Sequence, residues 1–297
     1  MPAAPSAEPQ FDLRIPVPGG ISLAGDVGGP VDGPTVILLH GGGQTRHSWS
    51  GTWKILVDAG WRAWSLDLRG HGDSDWAPNG AYGIDDFAGD VAAVARDLPH
   101  PPVLVGASLG GLSSLVAVAE APVQTEVARG LVLVDVAHRL EVEGRERIGA
   151  FMTAHLDGFA SLDEAADVIA AYNPHRPRPT DLSGLAKNLR ERDGRWHWHW
   201  DPAFVLGKFG SADETRSSVV HPGRLEEAVE ALTIPTLLVR GRSSDLLSEE
   251  GVADFLSRAP HAEFADVAGA GHMVAGDRNE VFNRAVLDFL DRHRHDA

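Results

Sequence analysis

Apolar runs of β-branched character recur along the first half of the chain at Thr35 to Leu39, Trp61 to Leu66, Val103 to Val105 and Gly130 to Val136. Continuous runs of this kind predict short strands buried on both faces. Between them the apolar positions fall at helical spacing: Trp53 to Ala59, then Phe87, Val91, Val94 and Leu98, then Leu109, Leu112, Leu115, Val116 and Ala119. Asp85 or Asp86 suits the N-terminus of the second of these helices, and Pro99 ends it. Strand alternating with helix predicts an α/β fold: a mostly parallel sheet, helices on both faces and right-handed crossovers. Phe11 to Val17 and Ile21 to Val27, around Pro18-Gly19-Gly20, read as an opening hairpin after a flexible stretch at 1–10. The pattern breaks over 138–231, where charge, proline and aromatic residues dominate and the signals are helical, at Leu162 to Tyr172 and Leu182 to Arg192. We read this span as a helical cap inserted into a core of residues 11–137 and 232–297. The sheet resumes at Thr236 to Gly241 and near Ala262 to Val267, before a closing helix marked by Phe282, Ala285, Val286, Phe289 and Leu290.

Composition narrows the partners. The 297 residues carry 42 acidic against 26 basic side chains, a formal net charge of −16. That balance disfavours nucleic acid and anionic membrane. No cysteine is present, which removes disulfides, thiol catalysis and thiolate-ligated metal. The opening MPAAPSAEPQ lacks the basic and apolar regions of a signal peptide, and no apolar run approaches membrane-spanning length. The expectation is a soluble cytoplasmic protein.

Candidate chemistry centres on Gly106-Ala107-Ser108-Leu109-Gly110-Gly111, where a buried strand turns into a helix at Ser108. So abrupt a reversal strains the backbone, and the residues two positions either side must be small; Gly106 and Gly110 are. The turn lifts the Ser108 hydroxyl clear of the sheet, and the first free amides of the helix, that of Leu109 included, face a developing oxyanion. His40-Gly41-Gly42-Gly43-Gln44 follows another buried strand and offers further backbone amides for it. A serine hydroxyl needs an imidazole to take its proton and a carboxylate to orient that imidazole. Asp245 follows one strand, in Arg240-Gly241-Arg242-Ser243-Ser244-Asp245, and His272 follows the next, in Gly269-Ala270-Gly271-His272. The order Ser, Asp, His suits this sheet type. Asp67, Arg69 and His71 read as loop-bonding residues, and Arg46 and His47 as part of a solvated loop.

Through HGGG at 40–43, DLRGHGDS at 67–74, GASLGG at 106–111, RGRSSD at 240–245 and GAGH at 269–272, the sequence resembles the α/β-hydrolase family over essentially its whole length. The resemblance implies Ser108 as nucleophile, His272 as general base, Asp245 as its orienter, and an oxyanion hole from Leu109 with Gly42 or Gly43. It also implies an acyl-enzyme mechanism without cofactor or metal. Some members carry the acid after the preceding strand, where this chain has Asp135, the alternative acid. Serine at the elbow argues against dehalogenase and epoxide hydrolase chemistry, whose family members carry aspartate there. The substrate expected is a small to medium carboxylic ester or lactone. Carbon–carbon hydrolysis, a cofactor-free haloperoxidase or perhydrolase reaction, and a ligand receptor on the same fold are the competing readings. In Trp196-His197-Trp198-His199-Trp200 an extended backbone would align Trp196, Trp198 and Trp200 as one wall of a pocket or as a plug against the core, with the histidines facing water.

Overall fold

A computed structural model describes residues 7–172, 178, 180–209, 222–268 and 280–294. The chain opens with β1 (Ala7–Val17), β2 (Ile21–Gly29), β3 (Thr35–Leu39), α1 (Ser50–Asp58), β4 (Arg62–Leu66), α2 (Ile84–Arg96), β5 (Val103–Ala107), α3 (Leu109–Ala119) and β6 (Gly130–Val134). Between β6 and the next strand of the sheet lie α4 (Val142–Thr153), α5 (Leu162–Tyr172), α6 (Ser183–Ala186), β7 (Leu189–Arg192), β8 (Arg195–Trp198), α7 (Pro202–Phe209) and α8 (Pro222–Glu230). The chain returns through β9 (Thr236–Gly241), α9 (Glu249–Arg258), β10 (Glu263–Val267) and α10 (Glu280–Arg292).

Eight strands form one sheet in the order β1-β2-β4-β3-β5-β6-β9-β10. The first two joints, β1 with β2 and β2 with β4, are antiparallel, and every joint from β4 to β10 is parallel. Alternation along the central strands divides the core. Val36, Leu38, Val103, Val105, Val132 and Val134 pack under Trp49, Leu56, Phe282 and Phe289, from α1, α10 and the turn before α1. Ile37, Leu39, Leu104, Leu131 and Leu133 face the other way, toward side chains of α2, α3, α8 and α9. Burying a Val, Leu or Phe fully is worth about 1.5–3 kcal/mol, so these alternating positions hold strand register as well as stability.

Register matters most at the carboxyl edge. Leu39 sits beside Gly106, Ala107 beside Val134, and Val134 beside Val239. The residues that follow, His40, Ser108 and Asp135, therefore leave the sheet side by side.

Two expectations need revision. The strand begins at Ala7, so residues 7–10 of the stretch read as flexible belong to β1, with Ala7 opposite Gly29 and Gln10 opposite Val27. The span Leu182 to Arg192, read as helix, holds only the short α6 before β7, which pairs antiparallel with β8. The described residues between β6 and β9 thus hold helices with a β-hairpin among them. No described helix is long and apolar enough to cross a membrane.

Candidate active site

Ser108 lies between β5 and α3 with φ 46° and ψ −112°, a region that side chains rarely enter. Glycines make room for the turn: a Cβ on Gly106 would stand 2.5 Å from the Gly110 carbonyl group, and one on Gly110 would stand 2.5 Å from the Leu39 carbonyl oxygen. The amides around the turn are divided. Ser108 N–H donates to Val134 O at 3.3 Å and Gly110 N–H to His40 O at 3.1 Å. Between them, the Leu109 N–H has no acceptor among the described residues.

The loop after β3 lies against this turn, since a Cβ on Gly41 would be 3.3 Å from Ser108 Cβ. Its own hydrogen bonds close it into a tight bend. Gln44 N–H donates to Gly41 O at 3.1 Å, and Gly41 N–H donates to Gln44 Oε1 at 3.0 Å. The amides of Gly42 and Gly43 find no acceptor among the described residues. Three backbone donors near the Ser108 turn thus have no acceptor among the described residues. Under the bend, His40 accepts from Leu68 N–H through Nε2 at 2.9 Å, which leaves its proton on Nδ1, 2.7 Å from Gly41 O. Burial pushes this imidazole down to about pKa 4.

The two carboxylates proposed from sequence stand in different surroundings. Asp135 is fully buried with φ 51°, a left-handed residue one strand over from Ser108. Its side chain reaches across the end of β9: Oδ1 accepts from Gly241 N–H at 3.0 Å and Oδ2 from Ser244 Oγ–H at 2.6 Å. Asp245 is partly exposed and ion-paired with Arg147 of α4 at 2.9 Å. Arg147 in turn lies over the Tyr172 ring, 5.0 Å from its centroid. His272 lies outside the described residues. Ser244, which anchors the Asp135 carboxylate, went unnoticed in the sequence because a serine in a polar loop carries no signal of its own.

Of the three indoles, Trp198 and Trp200 are buried and stack with centroids 4.6 Å apart, while Trp196 is half-buried and bridges to Phe159. Trp200 meets the loop after β3, because a Cβ on Gly43 would lie 3.3 Å from its ring and 3.2 Å from Met152 Cε. Phe204 of α7 approaches Gly42 in the same way, at 3.7 Å. These side chains make an apolar wall beside the Gly42 and Gly43 amides. Arg46 and His199 both depart from expectation. Arg46 is buried, not solvated, with Asp12, Asp26, Asp67 and Asp73 around it. Burial lowers the guanidinium's affinity for its proton, but Asp67, Asp73 and Asp26 outweigh it and the pKa is raised. His199 is buried rather than water-facing. Among the described residues no three His, Asp or Glu side chains group as metal ligands.

A strained serine at a strand-to-helix turn, on the carboxyl edge of a mostly parallel eight-stranded sheet, defines an α/β-hydrolase. The model of the alpha/beta hydrolase family matches residues 36–285, and the chain belongs to that family. Its relatives include an esterase of Mycobacterium tuberculosis, 33% identical over 267 residues that cover 87% of this chain and 83% of that one. A 2-(acetamidomethylene)succinate hydrolase of Mesorhizobium japonicum is 28% identical over 76% of this chain and 77% of its own. Among solved structures, an E-2-(acetamidomethylene)succinate hydrolase superposes with a TM-score of 0.80 at 27% identity, over 95% of this chain and 100% of the other. The crystal structure of the mycobacterial esterase superposes with a TM-score of 0.73 at 30% identity, covering 95% and 92%.

Proposed function

We propose that this chain hydrolyses small to medium carboxylic esters, lactones included, through an acyl-enzyme on Ser108. The observation that carries the reading is the strained Ser108 with the amides of Leu109, Gly42 and Gly43 nearby, none of which has an acceptor among the described residues. In this mechanism Ser108 Oγ attacks the ester carbonyl as its proton passes to the imidazole of His272. The carbonyl oxygen becomes an oxyanion held by the three amides, and the alcohol departs with the proton from the imidazolium. Water, deprotonated by the same imidazole, then attacks the acyl carbonyl and releases the acid. The likeness to an esterase supports the bond class, and the apolar wall of Met152, Trp200 and Phe204 beside the amides supports a hydrophobic acyl or alcohol group.

For the acid, what favours Asp135 over Asp245 is its setting. A carboxylate that orients an imidazole must be fixed and shielded from water, and Asp135 is buried and held by two donors. Its hydrogen bonds to Gly241 and Ser244 bring it to the end of β9, where an acid carried by that strand would stand. Asp245 is held by Arg147 at a solvent-facing position.

A fluorophosphonate probe should label Ser108, identified by mass spectrometry, and p-nitrophenyl esters of rising chain length should be turned over by the same sample. Ser108→Ala should lower turnover by at least about 10,000-fold, and Asp135→Asn by a similar order, against less than about tenfold for Asp245→Asn. If Asp245→Asn does the greater damage, the acid is the one on the β9 loop. Labelling without ester turnover would favour the carbon–carbon hydrolase and receptor readings instead. Absence of labelling in folded protein would remove the activated serine altogether.

A further inference from the structure

The alternating tryptophans and histidines that begin in β8 run on past its end to His199, which stands behind the oxyanion loop. Its Nδ1 stands 2.7 Å from Gly72 N–H, and its Nε2 stands 3.3 Å from Gly43 O. Gly72 N–H can only donate, so Nδ1 must accept. The ring proton of the neutral imidazole is therefore on Nε2 and is donated to the Gly43 carbonyl. Burial, then the neighbouring His71 and His40, hold this ring well below the usual histidine range, so neutrality persists under working conditions.

The Gly43 carbonyl itself has few other polar restraints. Gly43 adopts φ +76°, which glycine reaches without strain, and its carbonyl accepts no other hydrogen bond among the described residues. The Gly43 carbonyl shares its peptide plane with Gln44 N–H, which donates to Gly41 O and closes the bend, so rotation of that plane would open the bend and turn the Gly42 and Gly43 amides off the oxyanion. His40 fixes the opposite end of the bend through Gly41 O. Each imidazole has its tautomer set by an amide of the 67–72 loop, Leu68 for His40 and Gly72 for His199.

The geometry points to His199 as a positioning residue: from the insertion, its Nε2–H holds the Gly43 carbonyl so that the Gly42 and Gly43 amides face the oxyanion formed on Ser108. The ring is carried by a segment tied to the core at four further points. Thr45 Oγ1–H donates to Asn188 Oδ1 at 3.1 Å, Arg190 pairs with Asp73 at 2.6 Å, Asp201 N–H donates to Gly70 O at 2.8 Å, and Tyr82 O–H donates to Asp201 Oδ2 at 2.5 Å. Trp200 presses on Gly43 from the same strand end. The insertion therefore completes the catalytic loop as well as covering it. This inference rests on Ser108 acting as the nucleophile.

Two amide side chains separate the donor to Gly43 from the acceptor for Gly72. Glutamine at 199 brings its nitrogen to the place of Nε2, whereas asparagine reaches only the place of Nδ1. In His199→Gln, kcat should stay within about threefold of the wild type; in His199→Asn it should fall about 10- to 100-fold, with KM changed by less than about threefold. Affinity for a trifluoromethyl ketone, which forms an oxyanion on Ser108, should fall in step with kcat in His199→Asn, while affinity for the matching secondary alcohol should not. Nitrogen-15 spectra of the wild-type protein provide a readout independent of how the variants fold: a protonated Nε2 and bare Nδ1 on the His199 ring support the role, and the reverse tautomer overturns it. Wild-type kcat in His199→Asn, or equal losses in both variants, also overturns it. Turnover that survives Ser108→Ala instead overturns the nucleophile assignment, and the role of His199 with it. Ser108-dependent turnover at wild-type kcat in His199→Asn overturns the role of His199 alone.

Discussion

Holding Ser108 at positive φ costs of order 1–3 kcal/mol, and the surrounding backbone supplies the restraint. Gly110 shows how little slack remains: an added methyl would meet the Leu39 carbonyl oxygen at 2.5 Å and the His40 oxygen at 2.8 Å, both main-chain atoms of a buried strand end. Gly110→Ala should therefore destabilise the fold by about 3 kcal/mol and slow acylation, because relief is possible only by moving the oxyanion loop or the elbow. Urea unfolding together with probe-labelling rates would check this, and an unperturbed variant would mean that the elbow is looser than its contacts indicate. Ser108 and its glycines were legible in the sequence because strain leaves a local mark, small residues at fixed offsets. Asp135 was legible only as an alternative, since its burial and its reach across β9 depend on strand order. The place of His199 was not legible: period-two alternation puts it on one face of a strand, and only the tertiary fold shows that this face meets Gly43 and Gly72.

Elements with a strong intrinsic pattern were read well. β3 spans Thr35–Leu39 and α5 spans Leu162–Tyr172, both as their periodicity predicts. Leu182 to Arg192 was misread because Leu182, Leu185 and Leu189 fall at helical spacing. Pairing of Leu189 with Trp198 and of Glu191 with Trp196 overrides that preference and draws the segment into a hairpin. What holds the hairpin and α7 to the core is polar as much as apolar. Tyr82 is the clearest case: its hydroxyl donates to Asp201 Oδ2 and accepts from Ala77 N–H at 2.8 Å, while Asp201 Oδ1 accepts from Ala203 N–H at the start of α7. Burial, reinforced by the bond to Asp201, raises the phenol pKa above its ordinary value, so the hydroxyl stays a donor. Tyr82→Phe strands the Ala77 amide and weakens the restraint on the Asp201 carboxylate, at a cost of about 1–3 kcal/mol. Urea unfolding should show that loss, and faster amide exchange should appear in α7 before it appears in the sheet. Uniform protection across α7 and the sheet would count against the Tyr82 tie as a local anchor.

Across the whole molecule, the buried imidazoles behind the oxyanion loop set how stability responds to acid. In the unfolded chain a histidine takes up its proton near pH 6.5, whereas native His40 stays neutral until about pH 4 because burial disfavours its charged form. Between those values the unfolded state binds more protons, so acidification favours unfolding: the native state keeps its full margin above pH 6.5 and loses it progressively toward pH 4. His199, also depressed chiefly by burial, acts in the same direction. Most carboxylates remain ionised over the upper part of that window, so the self-repulsion implied by a net charge of −16 is relieved too late to compensate. Urea unfolding at about pH 7.5 and about pH 5 should differ by roughly 2 kcal/mol from His40 alone, and by more with His199 intact. His199→Gln, which removes one titrating ring and leaves His40, should flatten the dependence while keeping its sign. A profile as steep in this variant as in the wild type would show that His199 does not titrate as a buried neutral ring, and a flat wild-type profile would remove the same property from both.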